Sequence, residues 1–429
     1  MKRNGFYVLM VILVFFACTA EKEVKLEIAL QTELTTHGST RATAYSMSNK
    51  IITADGKKYV TWLDSVSNIM IQSIDLATNQ WSDPVLLGKG VDNHSGAALT
   101  MDSEGYIYAV FGPHHGPFQF ARSAAPYDIS LWEQQPEFGQ FGTYPGLVCD
   151  SEDVLHLTYR GGPMPRRLIY QQKKPGKSWS TPKALVYDDV GDTYTQFGNP
   201  IAVSPSGVLH VGFHIYDLYP PAGNYVGYLQ SPDAGTTWTT AKGDTVDIPA
   251  TPDTDCFIEK GKELNMRVGN LVLDNQERPW LSVVHLEEGG RTNILYYLDN
   301  HQWHGIDLLP HLRQTMPEKV ILYATLTFDA ANRLYVAATV QDSSNSDFWG
   351  VPGQEVVLLF SVDQGQSFDV YRISESDSTA PAWLPGIERP FSHQPIGTPA
   401  VLHTRGGPGT DLVTFIPTSV FFTRLDLKE

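Results

Sequence analysis

The chain has 429 residues, of which 42% are hydrophobic and 18% charged, so it is long enough to bury a large core. Its formal net charge of −16 argues against the basic face that a nucleic-acid binder needs, and we predict no nucleic-acid partner. The 20 Tyr, 19 Phe and 9 Trp, together with 36 Gly and 28 Pro, favour short strands joined by turns.

The N-terminal segment predicts an exported protein. Lys2 and Arg3 precede an apolar run at residues 6–17, which is too short to span a bilayer and suits the core of a signal peptide. Cys18 follows the tripeptide Phe-Phe-Ala, which resembles a bacterial lipobox. We predict that residues 1–20 are a signal peptide and that a lipidated Cys18 anchors the protein at the cell surface or outer membrane. Ordinary cleavage near Ala20, giving a secreted protein, is the alternative.

An internal repeat is the most informative feature of the sequence. Each copy has an apolar run, a polar turn and an alternating β-branched or aromatic strand, which is the pattern of a β-hairpin. The copies are IITADGKKYVTWLD (51–64), LTMDSEGYIYAVFG (99–112), LVCDSEDVLHLTYR (147–160), IAVSPSGVLHVGFH (201–214), LVLDNQERPWLSVVH (271–285), LTFDAANRLYVAATV (326–340) and AVLHTRGGPGTDLVTFI (400–416). Their turns are predicted near Asp55, Asp102, Asp150, Ser204, Asp274, Asp329 and Thr404.

Two hairpins per repeat make a four-stranded sheet, and such a sheet repeated around an axis is a propeller blade. The segments 231–238 and 361–368 resemble the Asp-box turns of sialidase-type propellers, with Asp233 and Asp363 bonding the hairpin backbone. We therefore predict an all-β, seven-bladed β-propeller formed by residues 25–429 as a single domain and a monomer. Residues 25–30 are placed to supply the strand that completes the last blade.

Three histidines flank one hairpin of the second repeat. His94 precedes its first strand, and His114 and His115 follow its second strand, so the hairpin brings the three imidazoles to one edge. Histidine exchanges protons near neutral pH more readily than any other side chain. We predict that these residues carry chemistry, with a structural role as the alternative.

The third repeat ends in a basic cluster. Tyr159 and Arg160 end its strand, and Arg166 and Arg167 begin the return strand. Arginine binds carboxylate or sulfate through two parallel hydrogen bonds, so we predict an anion-binding role; a surface salt-bridge cluster is the alternative.

The fourth repeat adds two more candidates for substrate binding, His214 and Tyr216. Weaker candidates are Arg267 and two tryptophans in Pro/Gly-rich loops, Trp349 and Trp383, on which a sugar could stack.

The segment DNHSGAALTMDSEGYIYAVFGPHHGPF resembles the BNR-repeat family that includes propeller-type ulvan lyases. These enzymes cleave a sulfated rhamnose–uronic acid polysaccharide by β-elimination. The resemblance implies that His94 is the first catalytic histidine and that the second is His114 or His115. It implies a catalytic tyrosine at Tyr159.

The same resemblance implies an arginine that faces the uronate carboxylate. Arg167 is the best match on the return strand, although the loop is shorter here and Arg160 or Arg166 could hold that place. An arginine stabilises the enolate-like transition state by neutralising the carboxylate. His94 and Tyr159 would then serve as base and acid, and which does which stays open.

We therefore predict a polysaccharide lyase acting on an acidic, ulvan-like polysaccharide. A non-catalytic glycan-binding surface lipoprotein and a sialidase-like glycoside hydrolase are the alternatives. Catalysis is expected to need no cofactor, and a structural zinc or calcium ion stays open. Cys149 and Cys256 are expected to be buried thiols, with a metal-ligand role for Cys256 as the alternative.

Overall fold

The structure is a computed structural model that describes residues 24–188, 195–217, 224–261, 265–286, 291–409 and 416–428. The predicted signal peptide and Cys18 lie outside the described residues. Within those ranges, no helix has both the length and the apolar character needed to cross a membrane.

The described chain is almost entirely β-structure, with 28 strands and one short helix. In the first half the strands are β1 (Lys25–Gly38), β2 (Ile51–Ala54), β3 (Lys57–Leu63), β4 (Asn68–Asp75), β5 (Val85–Lys89), β6 (Ala98–Met101), β7 (Ile107–Phe111), β8 (Gly116–Ala125), β9 (Asp128–Cys149), β10 (Leu155–Gly161), β11 (Arg167–Lys173), β12 (Lys183–Tyr187), β13 (Thr195–Gly198), β14 (Ile201–Val203), β15 (Leu209–Asp217) and β16 (Asn224–Ser231). The second half comprises β17 (Phe257–Gly261), β18 (Met266–Leu273), β19 (Pro279–His285), β20 (Thr292–Asp299), β21 (Gln302–Asp307), α1 (Leu309–Thr315), β22 (Lys319–Phe328), β23 (Leu334–Asp342), β24 (Glu355–Ser361), β25 (Asp369–Arg372), β26 (Ala382–Ile387), β27 (Ala400–Arg405) and β28 (Thr418–Lys428).

The described strands form six hydrogen-bonded sheets. Four of them contain four strands each, in the orders β2-β3-β4-β5, β18-β19-β20-β21, β22-β23-β24-β25 and β1-β28-β27-β26. A fifth sheet joins β13 and β14 to β15, β16 and β17, and the sixth runs through seven strands from β6 to β12. The all-β prediction is confirmed, while the count of hydrogen-bonded sheets alone does not confirm seven blades.

The seven-stranded sheet contains one unusually long strand, β9, with 22 residues. Its first part pairs with β8, up to Gly142, and its last part pairs with β10, from Thr143 to Cys149. The sheet therefore consists of two four-stranded groups that share β9, which is the outermost strand of one group and the innermost strand of the next.

The sheets bury their faces against one another in chain order, and the last packs against the first. Val60 and Trp62 of the first sheet share one buried cluster with Leu402 and Phe422 of the last. A small sheet cannot bury both faces alone, so this stacking supplies the hydrophobic core. The sheet that contains the first and last described strands is completed by β1, which pairs antiparallel with β28. The prediction for residues 25–30 is thus confirmed.

Four of the predicted hairpin turns share one hydrogen-bonding device. The aspartate's Oδ1 accepts the backbone N–H four residues later, at 2.8–2.9 Å. Its Oδ2 lies 2.9–3.0 Å from a polar atom of the aromatic or histidine side chain six residues later. The pairs are Asp102 with Tyr108, Asp150 with His156, Asp274 with Trp280, and Asp329 with Tyr335. Each aspartate thus closes its turn and positions a side chain at or near the adjoining core.

The seventh predicted turn is wrong. Thr404 lies within β27, where it pairs with Trp383 on one side and Val420 on the other. The segment 400–405 is therefore the second strand of its sheet, and the innermost strand is β26, whose sequence lacks the repeat's long apolar run. The two Asp-box turns are confirmed, because Asp233 and Asp363 accept backbone N–H groups from Thr237 and Ser367.

Replacing Asp274 with alanine is expected to lower the free energy of unfolding by about 2–4 kcal/mol, because Asp274 is buried and its loss leaves the indole N–H of Trp280 without an acceptor. Chemical denaturation followed by intrinsic fluorescence measures this change. Asp75→Ala, in a turn with only exposed bonds, is the control and is expected to cost about 1 kcal/mol or less. Equal losses in the two variants would contradict the proposed role of the paired turns.

Candidate functional site

A cavity of about 310 Å³ lies where the innermost strands of the sheets converge. Its walls come from the 41–47 segment after β1 and mainly from residues on or just before the inner strands of the other sheets. Further lining residues lie on outer strands or in a loop: His214 on β15, Val284 on β19, Asn293 on β20 and Trp349 between β23 and β24. The polar and aromatic side chains that line it include Arg41, Tyr45, His94, Tyr144, His214, Arg267, Tyr323 and Trp349. No Asp or Glu is among the described lining residues.

His94 is held by one partner on each ring nitrogen. Its Nδ1 lies 3.3 Å from Oδ1 of Asp92, and its Nε2 lies 2.9 Å from Nη1 of Arg41. Arginine has no acceptor, so Nε2 accepts this bond and the ring proton resides on Nδ1. Burial, opposed by the Asp92 hydrogen bond and assisted by Arg41, lowers the pKa of His94 to about 4. His94 is therefore a neutral imidazole at neutral pH, with the Nε2 lone pair on the cavity side.

The structure brings the three histidines of the second repeat together. The rings of His94 and His114 stack with centroids 4.2 Å apart, and those of His114 and His115 stack at the same distance. Oδ2 of Asp92 lies 2.6 Å from Nδ1 of His114, so this one carboxylate positions two imidazoles. Burial and the nearby Arg160 lower the pKa of His115 to about 3.

Tyr159 does not lie at the cavity, contrary to the expectation from the sequence. It is 1% exposed, packs edge-on against Phe118 and donates its hydroxyl hydrogen to Oε1 of Gln171 at 2.8 Å. Alternation along β10 explains the correction, since Leu157 and Tyr159 face the core between sheets while Arg160 takes the other face. Burial also raises the pKa of Tyr159, whereas the nearby arginines had suggested a lowered value.

Two other tyrosines occupy the cavity in its place. The rings of Tyr45 and Tyr144 lie 4.5 Å apart, and each lies within 6.0 Å of the His94 ring. Tyr45 accepts a hydrogen bond from Arg41 at 2.7 Å, and burial raises the pKa of Tyr45 well above its usual value. The backbone carbonyl of Tyr144 accepts a hydrogen bond from Asn199, which fixes the local chain.

Sequence reasoning missed these tyrosines although a signal for them exists. Tyr45 precedes the innermost strand of the first sheet, and His94 precedes the innermost strand of the second repeat. Tyr144 comes just before the apolar run of the third repeat. All three positions therefore lie at the same end of equivalent strands. Apart from His94, the predicted residues lie at the ends of second strands or at the start of a return strand.

The three predicted arginines have different contacts, although Arg160 and Arg166 both lie close enough to His115 to lower its pKa. Arg160 is fully buried, with its guanidinium 4.7 Å from the Tyr144 ring. Arg166 donates to the carbonyl of Gly162 at 2.5 Å. Arg167, the expected carboxylate ligand, lies 4.8 Å over the Tyr187 ring and does not line the cavity. Arg167 pairs with Tyr187 on β12, which is the last strand of that sheet and lies on the side away from the inner strands.

Of the remaining candidates, His214 lines the cavity and Tyr216 lies beside it. Nδ1 of His214 accepts the backbone N–H of Val268 at 3.0 Å, and burial followed by Arg267 lowers the pKa of His214 to about 3. The guanidinium of Arg267 lies 5.1 Å from the Tyr216 ring. Trp349 lines the cavity, whereas Trp383 is fully buried and donates its indole N–H to Gly406.

Two buried cations lie close to the cavity. Arg389 donates to the backbone carbonyls of Ser46 and Met47, both of which line the cavity, and Lys50 donates to the carbonyl of Ala97. Burial and the neighbouring Arg389 lower the pKa of Lys50 to about 7. Together with Arg41 and Arg267, they concentrate positive charge at the centre of a chain whose net charge is −16.

One described group could hold a metal ion, formed by Asp92, His94 and His114, whose ligand atoms lie within 4.8 Å of one another. A zinc-binding set of His and Cys does not form among the described residues. Cys149 and Cys256 are buried free thiols, and burial raises the pKa of Cys256 to about 12. The metal-ligand alternative for Cys256 has no support in this part of the chain.

The protein is thus an all-β, ring-like scaffold. Its histidine, tyrosine and arginine side chains converge on a central cavity. A family model of BNR repeat-containing family members matches residues 57–309, more than half of the chain. The chain belongs to this BNR repeat-containing family.

Known proteins of similar sequence are ulvan lyases. Ulvan Lyase-PL25 of Pseudoalteromonas sp. (strain PLSV) is 23% identical over 301 residues, covering 58% of this chain and 60% of that protein. An ulvan lyase of Nonlabens ulvanivorans is 27% identical over 159 residues, covering 31% of this chain and 34% of that protein. The matched regions thus span less than two thirds of these relatives.

Solved structures share the fold over most of the chain. A PL25 ulvan lyase bound to -[GlcA(1-4)Rha3S]- superposes with a TM-score of 0.70 and 17% identity, covering 91% of this chain and 95% of that one. Polysaccharide lyase Uly1 superposes with a TM-score of 0.60 and 12% identity, covering 93% and 100%. At these identities the likeness establishes the architecture.

At pH 7 His94 is expected to be neutral with its proton on Nδ1, because burial lowers its pKa and Arg41 donates to Nε2. Long-range ¹⁵N–¹H NMR of protein labelled selectively at histidine measures the tautomer, and His94→Gln identifies the signal by its loss. An imidazolium, or a proton on Nε2, would contradict the arrangement.

Proposed function

We propose that this protein is a polysaccharide lyase that cleaves an acidic, uronic-acid-containing and sulfated polysaccharide of the ulvan type by β-elimination. The observation that carries the proposal is the convergence of a neutral imidazole, two phenols and a guanidinium in one cavity, at His94, Tyr45, Tyr144 and Arg41. The similarity to ulvan lyases supports the same reaction and substrate class.

His94 is suited to be the base. β-Elimination removes the proton on C5 of the uronate, and the base must hold a free lone pair at the working pH. The low pKa of His94 keeps it neutral, and Asp92 fixes its ring so that Nε2 is the acceptor atom. Asp92 also stabilises the imidazolium that forms when the proton is taken.

Tyr144 is suited to be the acid, in place of Tyr159 as the catalytic tyrosine that the resemblance implied. As the proton moves to His94, a double bond forms between C4 and C5 and the C4–O4 bond breaks. O4 leaves with the bonding electron pair and takes the phenolic proton of Tyr144. Arg160, with its guanidinium 4.7 Å from the Tyr144 ring, stabilises the phenolate left behind. Proton exchange with solvent restores both groups.

We infer that residues 25–429 form one ring of seven blades. β9 serves two four-stranded groups, so dividing the six sheets there gives seven groups, six with four strands and one with five. Seven buried hydrophobic clusters among the described residues, one between each neighbouring pair of groups, support this count.

A polymer substrate fits export of the protein. We propose that residues 1–20 direct secretion, that lipidated Cys18 holds the protein at the bacterial surface, and that the ring acts as a monomer. Catalysis is proposed to need no metal ion.

A glycoside hydrolase usually needs paired carboxylates, which the described cavity lining lacks. A lyase, a hydrolase and a binding protein also differ in product. We expect incubation with an ulvan-type polysaccharide to generate an unsaturated uronate that absorbs in the ultraviolet. New reducing ends without this absorbance would indicate a hydrolase, and binding without either product would indicate a glycan-binding protein.

Tyr144→Phe is expected to lower kcat/KM about 10²–10³-fold, because it removes the acid. Tyr159→Phe is the matched control and is expected to retain activity while losing about 1 kcal/mol of stability through its bond to Gln171. Initial rates of ultraviolet absorbance and thermal unfolding measure the two effects. Loss of activity in Tyr159→Phe with activity retained in Tyr144→Phe would instead assign the acid role to Tyr159.

The pH dependence of kcat/KM is expected to show an acid limb near pH 4. His94 acts only when unprotonated, so activity is lost as the pH falls through its pKa of about 4. A histidine with an ordinary pKa would place this acid limb at about pH 6.5. Rates measured on a series of buffers, with circular dichroism to confirm folding at each pH, locate it. A limb above pH 6 would show that His94 is not the depressed base described.

A further inference from the structure

Arg41 is a buried arginine whose partners among the described residues are all uncharged. Its side chain is 7% exposed, its Nε donates to the carbonyl of Gly409 at 2.6 Å, and its Nη1 donates to Tyr45 and His94. The guanidinium carbon lies 4.5 Å from the centre of the Trp349 ring. A buried charge without an opposite charge is costly, so an anion that reaches Arg41 gains a favourable partner.

The position of Arg41 relative to His94 specifies which anion fits. The base must contact the hydrogen on C5, and in a uronate the carboxyl carbon is bonded directly to C5. The group that neutralises this carboxylate therefore has to lie beside the base atom. Nη1 of Arg41 is 2.9 Å from Nε2 of His94, which meets this requirement.

We propose that Arg41 is the residue that binds and neutralises the uronate carboxylate at the cleaved bond, in place of the return-strand arginine. This inference rests on the proposed lyase function. Bidentate contact with a carboxylate is the geometry to which a guanidinium is best suited. The carboxylate takes the Nη1 hydrogen bond from His94, and the Nε2 lone pair is then free to accept the C5 proton.

The arrangement makes Arg41 a determinant of specificity as well as a catalytic residue. In the free protein Arg41 covers the lone pair of the base. A neutral sugar cannot attract Nη1 away from Nε2 as strongly as a carboxylate can, so only an acidic residue uncovers the base efficiently. Trp349, on the face of the guanidinium, keeps water from one side of the pair.

The other arginines are less well placed for this role. Arg160 lies over the Tyr144 ring, Arg267 lies by Tyr216, and Arg167 lies over Tyr187 outside the cavity. Arg166 is bound to a backbone carbonyl in its own loop. Among the contacts of the described arginines, the one to Nε2 of His94 belongs to Arg41.

The test compares the ulvan-type polysaccharide with the same polymer after conversion of its uronates to methyl esters. An ester still has an acidic C5 proton but no charge to neutralise. Arg41→Gln is expected to lower kcat/KM about 10²–10³-fold on the acid. On the ester its kcat/KM is expected not to fall below that of the unaltered protein, in which Arg41 has no carboxylate to draw it away from Nε2 of His94. Arg313→Gln, an exposed arginine on α1, is the control.

Three outcomes would overturn the assignment. Equal losses of Arg41→Gln on acid and ester would show a purely structural role, and no loss on the acid would show no role. If Arg167→Gln lowers kcat/KM on the acid but not on the ester, the carboxylate-binding role belongs to Arg167 on the return strand. If Arg41→Gln does not fold, Arg41→Lys replaces it, because lysine keeps the positive charge but cannot make the bidentate contact. Arg41→Lys is expected to show a smaller loss of kcat/KM on the acid and none on the ester. Failure of the proposed function is distinct, because the unaltered protein would then yield no unsaturated product from either polymer.

Discussion

The architecture depends on the need of each small sheet to bury two apolar faces. No four-stranded group can do this alone, and the chain meets the need by stacking each group on the next and the last on the first. Stacking in a closed order brings the innermost strands together around one axis. Residues at the same end of those strands, such as Tyr45, His94 and Tyr144, then meet although they are far apart in sequence. The site is therefore a consequence of how the core is formed.

The charge at the centre of the protein is opposite in sign to the net charge of the chain. The acidic excess of the chain contrasts with Arg41, Arg267, Arg389 and Lys50, which lie at or near the centre. A low-dielectric surround strengthens the attraction of these cations for an anion. A chain with a net charge of −16 can therefore still attract a polyanionic ligand at its centre. Asp92 is the exception near the site, and it serves to orient two histidines.

The sequence predicted the strand class, most hairpin turns and the meeting of His94 with His114 and His115, because each depends on local pattern. Thr404 was misplaced because β26 lacks the apolar run that marks the other inner strands. Tyr159 and Arg167 were misplaced for another reason. A one-residue step along a strand reverses the direction of a side chain, and whether an irregular loop reaches the centre depends on packing. Arg41 could not be recognised at all, since its partners Gly409 and His94 come from distant parts of the chain.

The pairing of β1 with β28 has a consequence for biosynthesis. These strands are separated by almost the whole sequence, so the last sheet forms only after the C-terminal strand has been made. Contacts between such distant segments close slowly, because a long loop must be ordered before they form. Until then β1 waits for its partner β28 and β27 keeps an open edge, so both strands stay open to association with other chains. Pairing of β1 with β28 is thus a late event, and removal of a few residues from either strand would weaken the joint that keeps the first and last groups together.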